Sequence, residues 1–386
     1  MSTESMSPES MSTDEVGSSG ADEITSRLEA TLQRMPPEEI GDPREFRRAL
    51  DVLLRTTQRA ARKLDSDPGA PLSPDEFGAM EAVIRTDGTR PSLLVQDDAV
   101  DPTHPLAGDW SDTLAGTREA LRGAIRAIGR IEPADATSRN FFGTGWVVDA
   151  DRGLVLTNLH VLTAMWQRLP QSMARTATGL RVYDGAFIDF AAESGSTRTR
   201  RFRIVEATPS PIDGPGFARL DAAILRIEPL GIEAAQPQDP AQPPDAVPPD
   251  EVPHAVPVLS DPDGPQGNLL SFCVVGFPGP PRFISGLHEG VDWAWVNATL
   301  FGNRYGVKRL APGTVNRPMG SLPGDDRHWV FGHDATTLGG NSGSAVLAWA
   351  DGAFGLHFAG ASVDTNDAHA LCACADALRS LGVPIT

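Results

Sequence analysis

Two periodicities divide the chain. Near the front, apolar residues recur at helical spacing. Ile24, Leu28, Leu32 and Met35 fall on one face, and Phe46, Leu50, Leu53, Leu54 and Leu64 on another, with Asp42 placed as an N-cap and Pro43 at the first helical position. These patterns predict a helical hairpin. The segment SPDEFGAMEAVIRTDGTRPSLLVQDDAV reads as a short helix, a turn and a strand, and another helical pattern runs from Trp110 to Arg122. Beyond it the period shortens. The runs FFGTGWVVDA, GLVLTN, AAILRIE, LLSFCVVGF, SAVLAWADGAFGLHFAG and ALCACA are brief and β-like, divided by Gly, Asp and Pro. That predicts an all-β barrel or sandwich.

Composition marks two segments outside this scheme. Residues 1–22 are rich in Ser, Glu and Met with almost no bulky apolar content, which predicts a disordered acidic tail. From Gly231 to Gly267 the chain is dense in Pro and Asp, which predicts a stiff, solvated connection between two β subdomains. The expected organisation is therefore a tail (1–22), a mostly helical region (23–122) and a β unit (123–386). The β unit divides into halves at 123–230 and 268–386, joined by 231–267. The tail of the chain, ADALRSLGVPIT, reads as a short helix packed on the second half.

A formal charge of -18 over 386 residues argues against nucleic acid as a partner, because phosphate contacts need clustered Lys and Arg. The chain starts without a basic, then apolar leader and contains no apolar run of membrane-spanning length, so the expectation is a cytoplasmic protein without membrane contact. The three cysteines give no disulfide framework. Cys372 and Cys374, one residue apart, would point the same way on a strand. His369 lies near them, but no second ligand pair stands at zinc-like spacing. The expectation is buried free thiols, no metal and no cofactor.

The chemistry is sought around TLGGNSGSAV, Thr337–Val346, where small and polar residues precede a strand-like run. Such a stretch serves as a tight turn or as the seat of a nucleophile, Ser342, whose flanking backbone N–H groups face a developing oxyanion. The β region from Phe141 to Ile227 holds one histidine, His160, placed by GLVLTNLHVLT at a strand end. In RLDAAILRI, Asp221 opens an apolar strand where a lone carboxylate would need a partner. Ser, His and Asp fill the three roles of nucleophilic serine catalysis: attack, proton acceptance and orientation of the imidazole. Their order along the chain, His then Asp then Ser, is that of the chymotrypsin-type β-barrel proteases.

The motifs GTGWVV, LTNLHV, LDAAIL and GGNSGSAV, with VVGFPG, resemble in order those of the trypsin-like serine peptidase family, and more closely its bacterial glutamyl-endopeptidase-like branch. The resemblance covers about Gly123 to Thr386. It implies two six-stranded antiparallel β-barrels, an N-terminal α-helical region and a C-terminal helix, with the active site between the barrels. It implies His160, Asp221 and Ser342 as the triad, the N–H groups of Gly340 and Ser342 as the oxyanion hole, and a protein or peptide substrate cut through an acyl-enzyme. Where animal digestive members carry an Asp that pairs with a new N-terminal amine, this chain has the neutral Asn341, so activation by that ion pair is not expected. A Thr five residues before the nucleophile and a His fifteen after it match Thr337 and His357, which implies preference for an acidic residue before the cut. Thr336 stands where a Lys- or Arg-specific pocket would carry an acid. The helical region is expected to recruit a protein partner and to control an intracellular effector. The alternative is a catalytically silent binding or scaffold protein on the same fold.

Overall fold

The computed structural model describes residues 89–230, 251–279, 304–360 and 365–386, with residues 287–288, 291–292 and seven positions between 44 and 59. The tail 1–22, the apolar faces expected of the helical hairpin and the first part of the Pro-rich connection lie outside the described residues.

Upstream of the β unit lie β1 (Leu93–Gln96), β2 (Ala99–Val100) and helix α1 (Ser111–Arg126). The amphipathic α1 buries Leu114, Leu121 and Ile125. Position 123, the expected start of the β unit, falls inside this helix.

The first barrel is closed. It begins with β3 (Ile128–Pro133), β4 (Gly143–Asp149) and β5 (Leu154–Thr157). Helix α2 (Leu159–Arg168) and the short strands β6 (Met173–Arg175) and β7 (Leu180–Val182) follow. Strands β8 (Ala186–Asp189), β9 (Arg201–Pro209) and β10 (Ala223–Pro229) complete it. All pairings are antiparallel, and the ring runs β3–β4–β5–β10–β9–β8 and back to β3. Strand β4 is buried along six of its seven residues, so it reads as a nearly continuous apolar run. Closure leaves no open edge in this ring.

A short helix, α3 (Asp263–Gln266), leads into the second sheet. That sheet contains β11 (Phe272–Gly276), β14 (Arg309–Gly313), β15 (Val315–Arg317), β16 (Val330–His333), β17 (Ala345–Leu347), β18 (Ala353–Gly360) and β19 (Asn366–Ala370). A separate hairpin joins β12 (Leu287–His288) to β13 (Val291–Asp292). Strand β14 passes through Thr314 directly into β15, and the order β11–β14/β15–β16–β19–β18–β17 returns to β11. Counting the bent β14/β15 as one strand, this is a second six-stranded ring. Strand β1, expected before the β unit, adds to the outside of β14 with Leu93 opposite Leu310.

Two expectations change here. The second half of the Pro-rich connection is partly packed rather than solvated throughout: Val256 and Val258 are buried, the Val256 N–H donates to Val147 O, and Leu259 N–H donates to Ala353 O. Alternating valines give that stretch an apolar edge, which it lays across both barrels. The run ALCACA is not a strand throughout. Strand β19 ends at Ala370, and Cys372 and Cys374 lie in the turn before helix α4 (Ala375–Ser380). Both thiols are free, and burial pushes them up from their ordinary range. The chain beyond α4 reaches the first barrel as well as the connection: Gly382 O accepts from Arg152, and the Thr386 N–H donates to Val258 O.

Candidate active site

His160 is delivered by a strand-to-helix switch. Strand β5 ends at Thr157 and Asn158 stands at the N-cap position of α2, so His160, just past the strand end, lies in the first turn of a helix. Val161, Leu162 and Met165 bury the face of α2 that holds it down. Asp221 lies two residues before β10. Its carboxylate grips His160 at two points: Oδ2 is 2.6 Å from the ring Nδ1, and Oδ1 accepts the His160 backbone N–H at 2.9 Å. Asn158 Nδ2 donates to the Asp221 carbonyl at 2.8 Å. Burial pushes the Asp221 carboxyl up, but its bonds to His160 and the charge there outweigh burial and hold it below the ordinary value.

Ser342 lies on the loop between β16 and β17. Two turns shape it: Asn341 N–H donates to Leu338 O, and Ser344 N–H donates to Asn341 O. Gly340 and Gly343 have φ of 100° and 89°, in the left-handed region where a side chain is strained. A Cβ at Gly343 would also stand 2.1 Å from Thr144 O, so the close approach of the two barrels here requires glycine. The loop is fastened to β4 by Thr144. Its N–H donates to Ser342 O at 2.9 Å, its hydroxyl donates to Gly340 O at 2.8 Å, and the same hydroxyl accepts from Phe277 N–H at 3.2 Å.

The loop and α2 meet at Gly143, where an added Cβ would touch both Val161, the neighbour of His160, and Ser342 O. Among the described residues no hydrogen bond joins Ser342 Oγ to His160, and the N–H groups of Gly340 and Ser342 donate to no protein acceptor. A serine–histidine contact that is open without substrate closes in many enzymes when substrate binds.

Sequence reasoning weighed His369 only beside the two cysteines and did not place it next to Asp221. Its Nε2 accepts the Asp221 N–H at 3.1 Å, and its ring stacks on Phe358 with centroids 4.3 Å apart. Burial lowers it to about 4, so it is neutral at pH 7 and able to accept that bond. A cavity of about 680 Å³ opens beside this group, lined by His160, Asp221, Phe217, Phe358, Gln167 and His369 among others. Thr144 was missed too, because a Thr in a Gly-rich strand carries no signal of its cross-barrel bonds.

Thr337 meets the β18–β19 hairpin, and His357 lies on β18 itself. Thr337 Oγ1 donates to Asn366 Oδ1 at 2.9 Å, and His357 pairs in register with Ala368. The fully buried His333 places Nε2 3.2 Å from His357 Nδ1. Burial pushes both imidazoles down, His333 to about 3, and the charges of His333 and His160 add to the effect on His357. Among the described residues no group of three or more His, Cys, Asp or Glu could hold a metal ion, and no helix is long and apolar enough to cross a membrane.

Paired six-stranded rings thus carry a carboxylate–imidazole pair, Asp221 and His160, and a glycine-strained loop that bears Ser342. The trypsin-like peptidase domain matches residues 143–354, and a probable serine protease of Lysobacter enzymogenes is 39% identical over 352 residues, covering 90% of this chain and 86% of that one. The chain belongs to the trypsin-like serine peptidase family. An inactive mutant form of Rv3671c from M. tuberculosis is 17% identical, with a TM-score of 0.36, covering 69% of this chain and 93% of that one.

Proposed function

We propose that the chain is a serine endopeptidase in which Ser342 is the nucleophile, His160 the general base and Asp221 the orienting acid, with Gly340 and Ser342 N–H as the oxyanion hole. The observation that carries this reading is the two-point grip of Asp221 on His160. With Nδ1–H donated to Asp221, the lone pair of Nε2 is left to take the Ser342 proton. Ser342 Oγ attacks the peptide carbonyl, the oxyanion is held by the two N–H groups, and His160 returns the proton to the leaving amine. Water then repeats the sequence on the acyl-enzyme and restores Ser342.

The same reading extends to preference for Glu or Asp before the cut, as in the glutamyl-endopeptidase branch. Thr337 and His357 supply the donors. With His333 Nε2–H donating to His357 Nδ1, His357 Nε2–H is free to meet a carboxylate, and the Thr337 hydroxyl turns from Asn366 to the same group. The region before residue 123 is assigned to control and partner binding.

The test is a peptide library digested by the full chain, with cut sites read by mass spectrometry. Cuts that follow Glu or Asp, disappear in Ser342→Ala and lose their acidic bias in Thr337→Val support the reading. Cuts after Lys or Arg contradict the preference, and cuts that persist in Ser342→Ala contradict the mechanism.

A further inference from the structure

The residues just before β1 reach the loop that carries Thr337 and Ser342. The Arg90 guanidinium meets the Asp334 carboxylate at 2.5 Å and Thr314 Oγ1 at 3.2 Å. On the same residue, the backbone carbonyl accepts from Thr336 Oγ1 at 2.6 Å. Arg90 is fixed from behind. Thr89 O accepts from Trp110 Nε1 at 2.8 Å and from Arg90 Nη1 at 2.7 Å, and Trp110 is the residue that opens α1. Strand β1 is held by its pairing to β14, and Arg309 donates to Ser92 O at 2.6 Å.

Arg90 grasps the residues that lead into Thr337. Asp334 and Thr336 flank Ala335, whose carbonyl accepts from Asn366 Nδ2 at 2.8 Å, and Thr337 comes next. Arg90 and Thr314 hold the start of the stretch from Asp334 to Ser342, Thr314 through its N–H and hydroxyl on the Asp334 carboxylate and its carbonyl on the Asp334 N–H; Asn366 holds Ala335 and Thr337, the Gly279 N–H holds Gly339 O, and Thr144 holds the end. Asn366 and Thr144 belong to the two barrels. Arg90 belongs to the segment upstream. Its ion pair with Asp334 is about three-quarters shielded from water on each side, which makes it stronger than a surface pair.

We propose that Arg90 is a positioning residue for the substrate-binding wall at Asp334–Thr337, through which the chain upstream of β1 sets how well the residue before the cut is held. The proposal rests on the assignment of Ser342 as a peptidase nucleophile. Arg90 does not touch substrate; it acts through Asp334 and Thr336. A displacement of the upstream segment would release the Thr336 hydroxyl and remove the cation from Asp334 together, loosening the wall while leaving the Thr314 bonds to Asp334, His160, Asp221 and the Thr144 anchor in place.

The experiment uses the full chain and compares Arg90→Ala, Thr336→Val and Thr336→Ser with the unaltered protein. Two rates are measured: labelling by a small fluorophosphonate, which reads the triad and oxyanion hole, and cleavage of a peptide with Glu before the cut. Arg90→Ala and Thr336→Val are expected to raise KM about tenfold, the effect of one charge-assisted or short hydrogen bond, with the labelling rate within about twofold. Thr336→Ser, which keeps the hydroxyl, is expected to restore KM. Labelling and cleavage falling together with Tm would mean that Arg90 serves only stability, and Thr336→Ser behaving like Thr336→Val would overturn the proposal, as would unchanged KM. An unaltered protein that takes no label refutes the peptidase reading itself, and the proposal with it.

Discussion

Asp221→Asn isolates the step on which the mechanism turns. The substitution keeps size and shape, but the carboxamide has one acceptor and one donor end. The His160 backbone N–H, 2.9 Å from Oδ1, always donates, so it captures the amide oxygen. The NH₂ end is then left facing Nδ1 at the place where Oδ2 now lies 2.6 Å away. An NH₂ group facing Nδ1 requires that nitrogen to be bare, which moves the ring proton to Nε2. An imidazole with Nε2–H cannot accept the Ser342 proton. The expected loss in kcat near neutral pH is about 10⁴-fold, about 5 kcal/mol of barrier, with folding intact. The assay is peptide hydrolysis under saturating substrate, with circular dichroism to check the fold. A folded Asp221→Asn variant within tenfold of the unaltered rate would refute the tautomer argument and the role of Asp221 with it.

Thr144→Val leaves Gly340 O and Phe277 N–H without the bonds they now make; stability should fall by about 1–3 kcal/mol and kcat by more than KM changes, measured by urea denaturation and steady-state kinetics. Lys308 is fully buried, with Nζ bonded to Ile125 O and Phe190 O and 3.8 Å from Glu193 Oε1. Lys308→Met should cost about 3–5 kcal/mol by stranding the Glu193 carboxylate, and adding Glu193→Gln should recover part of it in the same denaturation assay. His369 and His333 have folded values of about 4 and about 3, below the ordinary 6.5, so the folded state resists their protonation and stability should drop as pH falls from about 6.5 towards those values. Denaturation midpoints at pH 7 and pH 4 measure that drop, and His333→Phe should reduce it. Asp367 goes the other way. Burial raises it to about 6, so it opposes stability as pH rises from about 4 through 6, and Asp367→Asn should raise Tm at pH 8 but not at pH 4.

The sequence was most legible where one residue type does one job. Ser342, Asp221 and His160 flank buried strands, His160 after β5, Asp221 before β10 and Ser342 before β17, and their motifs mark those turns in and out of the barrels. The β-barrel character was legible because short apolar runs with Gly and Pro between them fit few other folds. The pattern ends the strand just before His160, as β5 does at Thr157, but does not announce the helix that follows; the burial of Val161, Leu162 and Met165 on one face marks it. Contacts between distant segments left no local trace. The pairing of β1 with β14, the bonds of Thr144 across the barrels, the acceptance of the Asp221 amide by His369 and the hold of Arg90 on Asp334 all join residues with nothing in their neighbours to announce the partner. The burial of Val256 and Val258 was hidden by the prolines around them, whose composition predicts solvation.

The central claim is that Ser342 is an activated nucleophile. The most direct measurement is intact-mass analysis of the full chain after treatment with a fluorophosphonate, followed by peptide mapping. A single adduct is expected on Ser342, absent from Ser342→Ala and strongly slowed in Asp221→Asn. A folded protein that stays unmodified, or an adduct on another residue that survives Ser342→Ala, would contradict it and leave a binding or scaffold protein on a peptidase fold.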